Sequence, residues 1–74
     1  MEVKIYSTSS CPYCKMAKEY LGLKGISYKE YDVSNDKIAQ EEVVKLSGQM
    51  GVPVIVIKGN VIVGFDKARI DSFL

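Results

Sequence analysis

The chain opens on an alternating stretch, EVKIYS, which puts Val3 and Ile5 on one face and predicts a strand ending at Ser7. A short polar loop, TSS, follows. From Pro12 the spacing changes. Tyr13, Met16, Ala17, Tyr20 and Leu21 fall at i, i+3, i+4, i+7 and i+8, the stripe of an amphipathic helix that Gly22 or Gly25 ends. ISYKEYDV, residues 26–33, reads as a second strand. SND then offers helix caps, and Ala39, Val43, Leu46 and Met50 repeat at near-helical spacing up to a stop at Gly48. VPVIVI, residues 52–57, is an apolar, β-branched run of the kind found in a central strand buried on both faces. KGN turns it into VIVG, the partner of a hairpin. Asp66 caps a last helix whose apolar side is Ile70, Phe73 and Leu74.

The predicted order is β-α-β-α-β-β-α, an α/β chain forming one domain over residues 1–74. The first two strands flank a helix and should run parallel through a right-handed crossover, whereas the tight KGN turn makes the last two antiparallel. A four-stranded mixed sheet flanked by three helices follows. Met16 and Ala17 read as core, Tyr6 and Tyr20 as packing residues with hydroxyls at the surface. Tyr28 and Tyr31 read as half-buried strand residues, and Glu41–Lys45 as an i,i+4 pair.

Charge and residue inventory narrow the chemistry. The net charge of +1 gives no field to recruit nucleic acid or an anionic membrane. The longest apolar run, Val52 to Ile57, is far too short to span a bilayer, and the N-terminus starts in a strand pattern, not a secretory signal. A monomer in the cytoplasm is the expectation. Histidine is absent, which removes Cys-His dyads, Ser-His-Asp triads and the commonest transition-metal ligand. Two cysteines cannot fill an ordinary four-ligand zinc site within one chain. A bridge across two intervening residues closes almost no loop, so a purely structural staple is a poor reading. Redox chemistry, or a metal site shared between chains, is left.

Both cysteines lie in SSCPYCKMA, directly after the first strand and at the start of the first helix. The first turn of a helix has backbone N–H groups without intrahelical partners and a partial positive charge, and a thiolate there is stabilised. Cys11 is placed at the N-cap and Pro12 at the first helical position, where the missing N–H costs nothing. Cys14 then sits one turn inward, within reach of a disulfide formed at Cys11. This order makes Cys11 the exposed nucleophile and Cys14 the resolving thiol. Lys15, four residues after Cys11, is a candidate to stabilise the thiolate.

Two further segments, GVPV and VGFDK, read on pattern alone as a strand start with a trans proline and as a hairpin end followed by a helix cap. Together with CPYC they resemble the glutaredoxins, over essentially the whole chain. CPYC matches the dithiol motif of that family, GQMGVPV its cis-proline loop, and VGFD its Gly-Gly-x-Asp turn. The resemblance implies a minimal thioredoxin fold and a cis Val52–Pro53 bond. It implies that a disulfide substrate or glutathione, as co-substrate and with no bound cofactor, meets Thr8, Tyr13, Met50, Gly51, Val52 and Pro53. Gly64, Phe65 and Asp66 would receive the γ-glutamyl end through free N–H groups at the last helix.

The departures from the family pattern bear on the electron donor. Thr8 and Met50 stand where many glutaredoxins carry a cation, Val63 replaces the first glycine of the turn, and Lys67 replaces an acidic residue. Glutathione has two carboxylates, which cations hold by charge-assisted hydrogen bonds, so its binding is expected to be weakened. GFD also resembles the small redoxins that serve ribonucleotide reductase and take electrons from thioredoxin reductase, not from glutathione and glutathione reductase. The protein targets implied are disulfide-bearing enzymes such as ribonucleotide reductase or a peroxidase. Two other readings stay open: a [2Fe–2S] carrier that shares a cluster between two chains, and a copper-type metallochaperone. Pro12 and Tyr13, and the element order, weigh against these.

Overall fold

The computed structural model describes residues 2–49 and 51–74, so the Met50 position lies outside the described residues. Strand β1 (Val3–Ser7) leads into helix α1 (Pro12–Leu23), then β2 (Lys29–Asp32), α2 (Lys37–Ser47), β3 (Val54–Ile57), β4 (Asn60–Val63) and α3 (Lys67–Ser72). The strands form one mixed sheet in the order β2-β1-β3-β4. β1 and β2 are parallel, with Tyr6 opposite Tyr31 and their rings stacked at 5.0 Å. β3 runs antiparallel to both neighbours, pairing Ile5 with Ile55 and Ile55 with Ile62. The element order, the parallel β1–β2 pair and the antiparallel β3–β4 hairpin are those predicted, and the antiparallel β1–β3 pairing joins them. Among the described residues no helix is long and apolar enough to cross a membrane.

The apolar run of β3 follows from its position. Odd residues Ile55 and Ile57 point to one face, where they meet Val3, Ile5, Ala17, Leu21, Ile62 and Ile70 in a core closed by α1 and α3. Even residue Val54 points to the other, packing with Tyr6, Val33, Ala39 and Val43 beneath α2. Strand residues alternate faces, so a central strand covered on both sides has no place for a polar residue.

Several local expectations change. β2 is shorter than the predicted 26–33 because the Ile26 N–H donates to Leu21 O at 3.0 Å, finishing α1 before any ladder can start. The buried stripe of α1 is Cys14, Ala17 and Leu21. Tyr13 and Met16, read as part of that stripe, are 62% and 45% exposed. Tyr6 is buried with its hydroxyl inside, donating to Glu42 Oε2 at 2.9 Å. Leu46 is exposed, and among the described residues Glu41–Lys45 is not one of the ion pairs, which join Lys4 to Glu2, Lys18 to Glu30 and Lys24 to Asp71. Other boundaries hold: Asp36 and Asp66 cap α2 and α3, and Gly48 ends α2 in the left-handed conformation with φ 76°.

Two substitutions probe this architecture. Ile55→Ala empties the middle of the sheet and is expected to cost about 2–5 kcal/mol in urea unfolding of the chain. Ile57 and Asn60 pair across a two-residue turn in which Lys58 and Gly59 both have positive φ, 51° and 83°. Asn tolerates that conformation better than Lys, so Lys58→Asn should raise the urea midpoint, by a few tenths to about 1 kcal/mol.

Candidate active site

β1 delivers the chain to a loop whose last residue, Cys11, has extended dihedrals (φ −94°, ψ 111°) and caps α1. Its N–H donates to Thr8 O at 3.4 Å, and its sulfur accepts the Cys14 N–H at 3.2 Å. Pro12 begins the helix. The cap and the proline sit where the sequence placed them. Cys11 is partly exposed, Cys14 wholly buried, and both are free thiols. Burial pushes the Cys14 thiol up to about 11, and the hydrogen bond with Cys11 adds to the shift, while the Thr8 backbone opposes it. The outer sulfur is therefore open to a substrate and the inner one is held as a neutral thiol at pH 7.

Facing Cys11 is the loop before β3. The Val52–Pro53 bond is cis, as the resemblance implied, and Cys11 Sγ–H points at Val52 O across 3.8 Å. Pro53 is buried; Val52 is half-buried and Gly51 exposed, so the backbone edge beside the sulfur is open at Gly51 and Val52. Gly64, at the end of β4, has φ 85°, a conformation that favours glycine. Its N–H donates to Pro53 O at 2.8 Å, which ties the two loops together. That bond corrects one expectation: the Gly64 N–H is already engaged and is not a free donor for a γ-glutamyl group. The Asp66 carboxylate is likewise occupied, accepting the Arg69 N–H at 3.2 Å as the α3 cap.

Tyr13 is an exposed neighbour of the cysteines, and Thr8 is half-buried beneath them. Lys15 is exposed, and the contact it makes with Cys11 is through the backbone, its N–H donating to Cys11 O at 3.2 Å. Phe65 packs edge-on against Tyr20 at 5.8 Å, with the Lys67 ammonium over both rings. These three, with Met16, Glu19 and Leu23, line a groove of about 190 Å³ beside the turn.

No motif points to Ser7, Lys18 or Glu30, yet they form a polar cluster that joins β1, α1 and β2, with Lys18 one turn beyond Cys14 on α1. Ser7 Oγ and Lys18 Nζ both donate to Glu30 Oε2, at 3.0 and 2.8 Å. The one signal in the sequence is the four-residue spacing from Cys14 to Lys18.

Comparison with known proteins places this geometry. The family model described as Glutaredoxin matches residues 3–62. The chain is 53% identical over 72 residues to an uncharacterized glutaredoxin-like 8.6 kDa protein in the rubredoxin operon of Clostridium pasteurianum, spanning 97% of this chain and 96% of that one. It is 41% identical over 64 residues to glutaredoxin 3 of Escherichia coli, spanning 86% of this chain and 77% of that one. Among solved structures, a thioredoxin-like protein superimposes with a TM-score of 0.92 at 29% identity, over 99% of this chain and 100% of that one. The architecture is the minimal thioredoxin fold, a family of this kind points to thiol oxidoreductase activity, and the chain belongs to the glutaredoxin family.

Proposed function

We propose that the chain is a dithiol thiol-disulfide oxidoreductase that reduces protein disulfides and glutathione-mixed disulfides through Cys11 and Cys14. The observation that carries this reading is the pairing of a partly exposed sulfur at a helix N-cap with a buried thiol one turn inward, the Cys14 N–H and Cys11 Sγ being 3.2 Å apart. Cys11 attacks the substrate disulfide, one substrate sulfur leaves as a thiol, and the other stays bonded to Cys11. Cys14 then displaces it, forming the Cys11–Cys14 disulfide. The Gly51–Val52 backbone edge pairs with the substrate chain next to its sulfur. Pro12 and Tyr13 shape the approach, and Gly64, Phe65 and Asp66 form the far wall.

Glutathione, regenerated by glutathione reductase, is the proposed co-substrate, no bound cofactor being needed. The protein works as a monomer in the cytoplasm, with ribonucleotide reductase or a peroxidase as candidate targets. Two observations favour a second donor, thioredoxin reductase: Thr8 is uncharged and the Gly64 N–H is engaged by Pro53 O, which removes two handles for the carboxylates of glutathione.

The donor test separates the two. The oxidised protein is given NADPH with glutathione and glutathione reductase, or with thioredoxin reductase alone. Fast NADPH consumption only in the first mixture supports glutathione as donor. Fast consumption only in the second transfers the assignment to a redoxin fed by thioredoxin reductase.

Cys11→Ser is expected to abolish disulfide reduction while leaving the reduced protein at least as stable in urea, because a hydroxyl caps a helix better than a thiol. Activity retained in that variant would sink the nucleophile assignment. Cys14 also predicts a pH dependence. Its folded-state value, about 11, lies above the ordinary value of 9.0, so the folded chain holds the proton more tightly than the unfolded chain. The stability this contributes is fully present below pH 9 and is lost as pH rises toward 11. In urea titrations over this range, the reduced wild-type chain should lose more stability than Cys14→Ala.

A further inference from the structure

Cys14 must give up its proton to resolve the mixed disulfide, and it does so in a buried position. Three elements meet at Lys18, one turn further along α1. Ser7 ends β1, is 1% exposed, and spends its hydroxyl on Glu30 of β2. Lys18 stands one turn beyond Cys14 on α1 and holds the same carboxylate oxygen at 2.8 Å. Exposed ion pairs are loosely held and contribute little. Here the carboxylate is also held by the buried Ser7 hydroxyl, which anchors the acceptor that Lys18 pairs with. Cys14 and Lys18 stand at i and i+4 on α1, so their side chains leave the same side of the helix, and a positive charge there favours the Cys14 thiolate. The other groups acting on that sulfur are Cys11 across the first turn and the Thr8 backbone; Tyr28 and Asp32 act one step removed, on Lys18 and Glu30.

We propose that Lys18, held in place by Glu30 and Ser7, is a positioning residue that stabilises the developing charge on Cys14 during the resolving step. The inference rests on the dithiol reading above. In that step the bond between Cys11 and the substrate sulfur breaks and the Cys11–Cys14 bond forms. The Cys14 sulfur is oxidised, the substrate sulfur is reduced, and the proton of Cys14 ends on the departing thiol, or in water when that thiol is acidic. Lys18 keeps its own proton throughout. Glu30, held below the usual carboxylate range by Lys18 and then Ser7, remains an anion at neutral pH and keeps the ammonium from turning outward.

The test is a stopped-flow reaction of the reduced chain with dithiobis(nitrobenzoate), which releases one coloured thiolate when Cys11 attacks and a second when Cys14 resolves. The first release is the internal reference. Lys18→Met is expected to slow the second release roughly 3- to 10-fold at pH 7 and to move its pH midpoint upward by about half a unit to one unit. Lys18→Arg should restore both. An unchanged second release in Lys18→Met would overturn the proposal. So would a Lys18→Arg variant as slow as Lys18→Met, since that marks packing and not charge. Should Lys18→Met not fold, Lys18→Gln is read in the same assay with the same two outcomes. A second release that persists in Cys14→Ser overturns the dithiol reading itself, and is recognised before any Lys18 variant is made.

Discussion

A sulfur that must serve as a helix cap and still face a substrate is the constraint on which the rest of this molecule depends. The caps of α2 and α3 are carboxylates, which are strong acceptors. The cap of α1 is a thiol, a weak acceptor, and it satisfies the Cys14 N–H at 3.2 Å. The helix is therefore held less by its cap than by its buried stripe, Cys14, Ala17 and Leu21, pressed on the sheet. The same stripe that fixes the helix buries the second thiol. Packing and redox asymmetry are one arrangement seen from two sides.

The loops opposite obey a similar economy. β3 and β4 are adjacent strands of one hairpin, and each contributes an end to the site. Val52 and Pro53 come from the start of β3, Gly64 from the end of β4, and the hydrogen bond from Gly64 N–H to Pro53 O locks one to the other. A substrate-facing edge built this way inherits the order of a central strand buried on both faces.

Much of this was legible in the residues. The order of elements along the chain follows from the spacing of apolar residues, the caps from Asp36, Asp66 and Cys11, and the hairpin from Lys58 and Gly59. Pattern alone favoured a trans Pro53, and the cis bond was legible through family resemblance. The failures have physical causes. Ile26 and Tyr28 alternate like a strand, but the Ile26 N–H is consumed in closing α1. Counting Cys14 as chemistry and not as an apolar residue turned the buried face of α1 the wrong way, which put Tyr13 and Met16 inside. Ser7, Lys18 and Glu30 are 11 and 12 residues apart along the chain and meet only once β1, α1 and β2 have packed. No local pattern encodes such a meeting.

The division of the sheet into two cores has an engineering consequence. Cys14 shares the buried face of α1 with Ala17 and Leu21, on the side that α1 and α3 cover, while α2 lies over the other core with Ala39 and Val43 turned inward and Ile38 and Val44 turned out. The outer surface of α2 is thereby insulated from the thiols by the thickness of a sheet. It is the natural place to attach a fluorophore, an immobilisation tether or a fused domain, so that electron flow can be followed from a handle that leaves the reacting sulfurs untouched.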